Sequence, residues 1–434
     1  MSATERRPGP PRLLGVHRLH HRKGGAEAVH LDHLALFRAR GWDCAEFAME
    51  HPDNEPSPWA GHFADRFEQP RGLQALRAAP RFFHSAKARQ GMARLLDAFR
   101  PDVIHVHGLY HQLTPSVVAP AVDRGIPITF TLHDFKLICP AYHFYNPRIG
   151  VCEKCAGGRQ WNCLFNRCTG GSLAKDALYA LDGAVQWRRR TVRDAVARFV
   201  GPSRFIVEKF AEHGFARETL RYVPNFFESA DDSPVDPARV DALRREAGPH
   251  VLYFGRLSPE KGLVHLIDAA AVAGARLAFV GDGPQRAELE ARAKTRGAKA
   301  TFTGHLKGAE LWARVEAATV VALPSAWYEN APKSVLEAQA RGKAVVTTRI
   351  GGLPELVEDG ATGFLAAPGD AASLAEALSR ALGATADELA KMGALARERV
   401  NGSFNKERYY REMTEVYREV SPAIAALNPK ATDG

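Results

Sequence analysis

The sequence has no long apolar run of the kind found in membrane proteins and few of the cysteines that define disulfide-rich proteins. No stretch approaches 18 consecutive apolar residues, so no membrane-spanning helix is predicted. Six cysteines in 434 residues are too few for a disulfide scaffold, and 45% hydrophobic with 25% charged residues is typical of a globular protein. Residues 1–11 are polar and proline-rich and do not resemble a secretory signal, so a cytoplasmic location is expected.

The chain also lacks the dinucleotide pattern G-x-G-x-x-G, which argues against a nicotinamide or flavin oxidoreductase. Its net charge is +9, and a basic excess attracts polyanions. No interleaved aromatic and basic residues of the RNA-binding kind are present, so nucleic acid is not expected as a partner. The densest basic cluster is either a solvated helix face or a contact for an anionic membrane surface. It consists of Arg188, Arg189, Arg190 and Arg193.

Short apolar runs alternate with amphipathic stretches along the chain, which predicts βα repeats on parallel sheets. Strands are expected at 12–16, 103–106, 127–131, 250–253, 276–280, 319–323 and 344–347, and helices at 26–39 and 86–99. The polar stretch 215–248 separates the two halves and is interpreted as a linker with an edge helix. The fold class is therefore α/β with two successive doubly wound domains, and the default ligand site is the cleft between them.

One candidate phosphate site follows the strand at 250–253. Gly255 to Gly262 reads Gly-Arg-Leu-Ser-Pro-Glu-Lys-Gly, in which glycine permits close backbone approach and the two cations can face a polyanion. The helix beginning near Gly262 would add its positive N-terminal end. The alternative is an ordinary strand-to-helix turn with solvated charges.

A second candidate site follows the strand at 319–323. Glu329 and Glu337 flank the residues Asn330, Ala331, Lys333, Ser334 and Val335. If Ser334 caps the helix, both carboxylates can address one ligand, with backbone N–H groups between them. Otherwise Glu337 merely complements the helix dipole. Lys333 points either to a bound phosphate or to solvent.

Glycine pairs occur in two further loops. Gly24-Gly25-Ala26-Glu27 lies between the first strand and the first helix, and Gly351-Gly352-Leu353-Pro354-Glu355 follows the strand at 344–347. Such pairs are most often plain turns, so each is weak evidence alone.

Taken in order, these elements resemble the retaining nucleotide-sugar glycosyltransferases of family 4, which have the GT-B fold. The further matching motifs are Pro101 to His107, Thr131-Leu132-His133-Asp134, Pro202-Ser203, Val223-Pro224-Asn225 and Val280-Gly281-Asp282-Gly283. The resemblance covers roughly residues 12–420. It implies an N-terminal acceptor-side domain at 12–200, a donor-binding domain at 201–404 and a helix at 405–422 that returns to the first domain.

The resemblance also implies residue roles. Arg256 and Lys261 would neutralise the diphosphate leaving group, so that no catalytic metal or other cofactor is needed, and no Asp-x-Asp metal motif stands in a suitable loop. Glu337 would hold the ribose, and Glu329 and His133 would address the transferred sugar. Donor binding is also expected at Gly24, Gly25, Asn330, Ala331, Lys333, Ser334 and Val335. His133 is otherwise a buried core histidine. His105 and His107 alternate on a strand, at most one is expected to face the cleft, and neither is assigned.

The implied function is transfer of a sugar from a UDP- or GDP-linked donor to a glycan or lipid-linked acceptor, in cell-surface polysaccharide or glycolipid biosynthesis. Where family members have Gly-Phe-Gly-Leu after the first glutamate, this chain has Asn330 to Lys333, so the resemblance still allows the main-chain role but does not imply which sugar is preferred. The alternatives are a sugar phosphorylase, whose pyridoxal-phosphate lysine is not located, and a non-catalytic nucleotide-sugar or glycan-binding protein of the same fold.

Five of the six cysteines fall in a proposed insertion at 139–169. Cys152, Cys155, Cys163 and Cys168 have a spacing that suits a structural Zn²⁺ site, with Cys139 as a possible replacement for one of them. The alternatives are free thiols or a disulfide. Cys44 is expected in the core.

Overall fold

The computed structural model describes residues 9–67, 80–146, 148–227 and 234–427. The chain forms two compact units. Unit 1 consists of Met1–His143, Glu153–Asn225 and Glu407–Gly434, and unit 2 consists of Phe144–Cys152 and Phe226–Lys406.

Unit 1 is built on a six-stranded parallel sheet in the order β2-β1-β3-β4-β7-β8. The strands are β1 (Arg12–His17), β2 (Asp43–Phe47), β3 (Val103–Gly108), β4 (Ile128–Thr131), β7 (Arg198–Gly201) and β8 (Leu220–Tyr222). Every residue of β3 and β4 is buried, as expected for parallel strands covered by helices on both faces.

The helices of unit 1 follow the strands in the βα pattern. They are α1 (Gly25–Ala39), α2 (Ala86–Phe99), α3 (Tyr110–Leu113), α4 (Ala119–Val122), α5 (Asn162–Phe165), α6 (Leu173–Arg189), α7 (Thr191–Ala195), α8 (Arg204–Glu212), α17 (Lys406–Val420, from its second residue) and α18 (Pro422–Ala425). Ser85 caps α2 and Ser203 caps α8, each accepting a hydrogen bond from a first-turn amide. Single 3₁₀ turns lie at Ala60–His62, Pro115–Val117, Ala156–Gly158 and Arg217–Thr219.

Unit 2 has a second six-stranded parallel sheet, in the order β11-β10-β9-β12-β13-β14. Its strands are β9 (Val251–Phe254), β10 (Leu277–Val280), β11 (Ala300–Phe302), β12 (Val320–Leu323), β13 (Val345–Thr348) and β14 (Gly363–Ala366). A small antiparallel hairpin of β5 (Tyr145–Asn146) and β6 (Gly150–Val151) also belongs to this unit.

The helices of unit 2 pack on both faces of its sheet. They are α9 (Pro237–Ala247), α10 (Leu263–Ala273), α11 (Arg286–Arg296), α12 (Gly308–Ala317), α13 (Lys333–Ala340), α14 (Leu353–Leu356), α15 (Ala371–Gly383) and α16 (Ala386–Ser403), with a 3₁₀ turn at Pro259–Lys261. One apolar core fills the space between them and β9 to β14.

The structure confirms the α/β class with two doubly wound sheets and moves one expected boundary. Unit 1 runs to Asn225 rather than ending at residue 200, because β8 pairs with β7 and extends the first sheet. The stretch 215–248 is therefore not a linker throughout, since it contains that strand. The cysteine-rich insertion is also divided, because Phe144–Cys152 belongs to unit 2.

Candidate active site

In each sheet there is one pair of neighbouring strands from which the chain continues toward opposite edges of the sheet. In unit 2 this switch point lies between β9 and β12, and parallel sheets bind ligands at the carboxyl ends of such strands. The loops that leave β9 and β12 meet there. Gly262 has φ +68°, and a Cβ on it would lie 2.1 Å from the carbonyl oxygen of Pro324. Only glycine permits both this conformation and this approach.

The meeting of these loops places Lys261 beside Glu329, although 68 residues separate them. The Lys261 ammonium donates to Glu329 Oε1 at 2.6 Å, and the Ser325 hydroxyl donates to the same oxygen at 2.6 Å. Glu329 is buried, whereas the Lys261 side chain is 19% exposed. The carboxylate is therefore held in place while the ammonium keeps hydrogen-bonding capacity for a ligand.

These contacts decide the protonation state of Glu329. Burial alone would raise its pKa, but the charge of Lys261 and the hydrogen bonds from Lys261, Ser325 and Trp327 outweigh burial and hold the pKa below its usual range. Glu329 is thus an ionised acceptor at neutral pH, suited to bind sugar hydroxyl groups.

The glycine pair after β13 supports the backbone of Glu329. The Gly352 N–H donates to the Glu329 carbonyl at 2.7 Å. Gly351 has φ +60°, and a Cβ there would lie 2.2 Å from the same carbonyl oxygen. This motif therefore acts through the loop that carries Glu329 rather than through a side chain of its own.

Arg256 and Glu337 differ from the Lys261–Glu329 pair in their exposure and in their contacts. Arg256 is exposed, and its carbonyl accepts a hydrogen bond from the Tyr253 hydroxyl at 2.7 Å, which ties down the backbone of its loop. Glu337 lies in the second turn of α13 and lines an open polar depression of unit 2 with Arg341 and Lys343. Burial raises its pKa despite the charges of Lys333 and Arg341.

The expected helix cap at Ser334 is wrong. The helix α13 begins at Lys333 with Pro332 as its N-cap and no capping side chain, because the loop reaches helical geometry two residues earlier than a cap at Ser334 requires. Asn330, Ala331, Lys333 and Ser334 are half-buried, whereas the Val335 side chain is buried in the core. The backbone N–H of Val335 donates to the Pro332 carbonyl at 3.1 Å, so it is already paired within the loop.

In unit 1, His133 follows β4 and is held by a second histidine. His133 Nε2 lies 2.9 Å from His107 Nδ1. Burial lowers the pKa of His133 to about 3, and burial also takes the pKa of His107 well below its usual range. Both rings are neutral at pH 7, so one nitrogen of the pair donates and the other accepts.

His105 and His107 lie on the same face of β3. The expectation that at most one of them faces the cleft treated the two as alternating across the strand, and this premise is wrong. Side chains at i and i+2 of a strand point the same way, and the two rings stack with centroids 4.4 Å apart. His33, His105 and His107 form a buried cluster whose ring nitrogens lie within 4.8 Å of one another. Tyr417 links two of them, at 2.5 Å from His105 Nδ1 and 2.9 Å from His33 Nε2.

The Gly24-Gly25 turn leads into α1. Gly24 is the N-cap with an extended backbone and no capping side chain, and a Cβ at Gly25 would have no heavy atom within 4 Å. Glu27 in the first turn is buried and pairs with Arg18 at 3.1 Å. The loop is open on the Gly25 side, which suits close approach of a ligand to the backbone.

A recess with about 50 Å³ of free space lies beside His133 in unit 1. Its lining is mainly apolar and includes Phe82, Tyr110 and Leu132, with Asp134 and Asp182 as acidic groups. Lys136 pairs with Asp182 at 2.7 Å, and the Tyr110 hydroxyl donates to Asp134. This space suits a few water molecules rather than a sugar.

Three cysteines of unit 1, namely Cys139, Cys155 and Cys168, lie around Cys163, which is fully buried. Its thiol is hydrogen-bonded with Cys168, and Cys139 and Cys155 are close enough to act on it electrostatically. Cys152 lies in unit 2, where its N–H donates to the Phe144 carbonyl. Cys44 is buried in unit 1, as expected.

Sequence reasoning missed the side chains that orient the candidate residues. Ser325 and Trp327 contact Glu329, and His107 contacts His133. The period of a strand was sufficient to place His107 on the face of His105. The sequence does not predict the contact of Ser325 with Glu329, because a single serine after a strand is common.

Two family models match the chain, and together they span most of it. Glycosyl transferases group 1 matches residues 236–399, and the glycosyl transferase 4-like domain matches residues 24–225.

Relatives and solved structures agree with these matches. The chain is 31% identical to 2-deoxystreptamine glucosyltransferase of Streptomyces kanamyceticus, over 68% of this chain and 71% of that protein. It is 28% identical to GDP-mannose-dependent alpha-mannosyltransferase of Mycolicibacterium smegmatis, over 77% and 78%. The fold resembles Anabaena HepE in complex with UDP, with a TM-score of 0.66 and 19% identity over 94% of this chain and 100% of that one. It also resembles sucrose-phosphate synthase of Thermosynechococcus elongatus, with a TM-score of 0.64 and 19% identity over 94% and 99%.

Among the described residues, no helix is both long and apolar enough to cross a bilayer.

Proposed function

Because the chain belongs to the group 1 glycosyltransferases and transfers a sugar from a nucleotide-sugar donor, we propose that it is a retaining, metal-independent hexosyltransferase. Its acceptor is a glycan or a lipid-linked saccharide, in polysaccharide or glycolipid synthesis on the cytoplasmic side of the membrane. The observation that carries the proposal is the Lys261–Glu329 pair at the switch point of unit 2. It combines a cation for phosphate with an ionised acceptor for sugar hydroxyls.

The donor is a UDP- or GDP-linked sugar. A nucleoside diphosphate carries negative charge that grows as the bond to the sugar breaks, so groups that meet this charge accelerate the reaction. Lys261 and Arg256 are assigned to the diphosphate. Glu337 on α13 is assigned to the ribose, and Glu329 to the hydroxyls of the transferred sugar. Anabaena HepE, a structural neighbour, was solved with UDP.

Retention follows from a front-face reaction in this proposal. The bond between the anomeric carbon and the phosphate oxygen breaks, and the acceptor oxygen bonds to the same face of that carbon. The acceptor proton passes to the departing phosphate. No carboxylate nucleophile is assigned, and neutral His133 serves as a hydrogen-bonding group toward the transferred sugar.

Donor hydrolysis tests the proposal and separates an enzyme from a binding protein. Purified chain is incubated with UDP-glucose, UDP-N-acetylglucosamine or GDP-mannose, and release of UDP or GDP is measured. We expect slow hydrolysis of one donor and its loss in Glu329→Gln. Arg239→Gln is the matched control, because Arg239 pairs with Glu310 on the surface of unit 2. Absence of nucleotide release with every donor, despite a thermal shift by the nucleotide, would show a binding protein.

Contact with an anionic membrane is part of the proposal. The basic patch available for this contact is smaller than the four-arginine cluster that the sequence indicated. Arg190 pairs with Asp194 at 2.9 Å, and Arg193 lies over the Phe215 ring at 4.6 Å. Arg188 and Arg189 remain exposed at the end of α6. Two such cations contribute about 2 kcal/mol near an anionic surface, enough for weak, salt-sensitive attachment.

Sedimentation with vesicles tests this attachment. We expect the chain to bind vesicles that contain phosphatidylglycerol, less so at high salt, and the double variant R188Q/R189Q to bind less. Equal binding to neutral and anionic vesicles would contradict the electrostatic contact.

A further inference from the structure

The cysteine cluster of unit 1 has no role in sugar transfer, and its surroundings indicate a different one. Residues 153–172 contain only a 3₁₀ turn and the four-residue helix α5 as regular structure. The two largest apolar side chains of this segment, Trp161 and Phe165, are 47% and 76% exposed. The segment therefore does not build an apolar core of its own, and a segment of this kind usually needs a cross-link.

The buried side chains of this segment are instead mostly thiols. Cys163 is 0% exposed and Cys155 is 7% exposed, and Cys139, from the loop after β4, is also 7% exposed. Cys168 is half-buried and is hydrogen-bonded with Cys163 through the side chains. The backbone brings them together, because the Cys168 N–H donates to the Cys163 carbonyl at 3.1 Å and turns the chain back.

Cys139 is tied to the same place by the packing of its neighbour. A Cβ on Gly183 of α6 would lie 2.7 Å from Pro140 and 3.2 Å from the Gln160 side chain. Pro140 follows Cys139, and the Gln160 carbonyl accepts hydrogen bonds from the Cys155 thiol and the Cys163 N–H. The small Gly183 thus lets both cysteine-bearing loops pack on one point of α6.

We propose that Cys139, Cys155, Cys163 and Cys168 bind one structural Zn²⁺ in tetrahedral geometry. All four belong to unit 1, whereas Cys152 lies in unit 2, so the structure favours Cys139 as the fourth ligand. Four thiolates and Zn²⁺ carry a net charge of −2. Residues 153–168 contain Lys154, Arg159 and Arg167 against Glu153, which is 3 − 1 = +2 and offsets that charge.

Metal binding requires the thiols to lose their protons and to draw together. Zn²⁺ binds thiolates, so each thiol gives up its proton on binding and acid releases the ion. Of the residues that the structure describes, the groups with all ligand atoms within 4.8 Å of one another consist of histidines and carboxylates. The four sulfurs therefore have to draw closer together when they bind the ion. A site saturated by four thiolates leaves no open position for water or substrate.

The test is metal analysis of the full chain purified without chelator. We expect about one zinc per chain in the wild type, and four equivalents of a mercurial thiol reagent to release it. Less than about 0.2 zinc per chain, with thiols that titrate as free or as a disulfide, would overturn the proposal. In the wild type, Co²⁺ substitution reports tetrahedral thiolate ligation by its absorption bands, and this readout does not depend on any variant folding.

Single cysteine variants decide the ligand set. Cys139→Ser and Cys163→Ser should lose zinc, whereas Cys152→Ser should keep it. Cys44→Ser is the matched control, because Cys44 is a buried thiol of unit 1 outside the cluster. Loss of zinc in Cys152→Ser but not in Cys139→Ser would overturn this ligand set, as would retention in both. Donor hydrolysis by the zinc-depleted chain should stay within about twofold of wild type, because the diphosphate groups lie in unit 2 and the site has no open position.

Discussion

Replacing Lys261 by methionine tests how strongly the buried ion pair stabilises unit 2. Methionine keeps the length and apolar stem of lysine but carries no charge. Glu329 would keep its hydrogen bond from Ser325 and lose its counter-charge. Removing one partner of a buried pair costs about 3–5 kcal/mol when the other partner stays ionised.

The size of the effect depends on pH, because Glu329 can escape the cost by taking up a proton. In the wild type its pKa is depressed below the ordinary value of 4.5, so the stability from ionised Glu329 is present above pH 4.5 and is lost as pH falls through the lower folded pKa. Without Lys261, protonating the carboxyl costs about 1.36 kcal/mol per pH unit above that ordinary pKa. The ceiling on destabilisation is therefore about 3.4 kcal/mol at pH 7 and about 1.4 kcal/mol at pH 5.5.

Hydrogen exchange measured by mass spectrometry gives the stability of unit 2 in the full chain. Peptides that contain β9 and β12 report the opening of its sheet. In Lys261→Met, amide protection in these peptides should fall by about 300-fold at pH 7 but only about tenfold at pH 5.5, each relative to wild type at the same pH. The double variant Lys261→Met/Glu329→Gln should show no such dependence on pH, because the titrating carboxyl is gone.

Lys343→Met is the matched control. Lys343 is a second lysine of unit 2, and its ammonium donates to the carbonyls of Glu316 and Ala318. Burial lowers its pKa to about 8, so it is mostly protonated at both pH values and its loss should cost the same at each. A destabilisation by Lys261→Met that is equal at pH 7 and pH 5.5, or absent at both, would refute the reasoning about Glu329.

Three further predictions concern catalysis and acid stability. Arg256→Ala should lower kcat for donor hydrolysis by about 100-fold, because it removes charge stabilisation that grows in the transition state. Glu337→Ala should mainly raise the Kd for the nucleotide, which calorimetry with UDP and GDP measures. An unchanged nucleotide affinity in Glu337→Ala would contradict the ribose assignment. His107→Leu should lower kcat about tenfold more than His107→Asn, because asparagine can replace Nδ1 as the partner of His133 Nε2; equal kcat in the two variants would remove the positioning role. Unit 1 should unfold in mild acid before unit 2, because burial lowers the pKa values of His17 to about 4 and of His33 to about 3. The stability held above pH 6.5 is lost as pH falls toward those values, at most about 2 kcal/mol per histidine at pH 5. Hydrogen exchange in β1 and β3, compared with that in β9 and β12, measures this loss.

Local periodicity along the chain was sufficient to predict much of the repeating secondary structure. Continuous apolar runs such as 103–106 and 319–323 are long enough for a strand and are covered on both faces, so they predict β3 and β12 closely. Helices with good caps were also readable, and α2 occupies the expected residues 86–99. Five strands of the two parallel sheets were not predicted. β2, β8 and β11 carry too little apolar pattern to stand out from loops, whereas β7 and β14 are apolar but only four residues long.

The contacts between side chains that are distant in sequence became apparent from the folded chain alone. The spacing of Glu329 and Glu337 is visible in the sequence, but the Lys261–Glu329 contact depends on two loops that converge at the switch point of a sheet. The pairing of His107 with His133 likewise depends on the register of β3 against β4. Sequence patterns report neighbours along one element, whereas contacts between elements depend on strand order and on the packing that strand order imposes, so these contacts and the protonation states they produce belong to the folded chain.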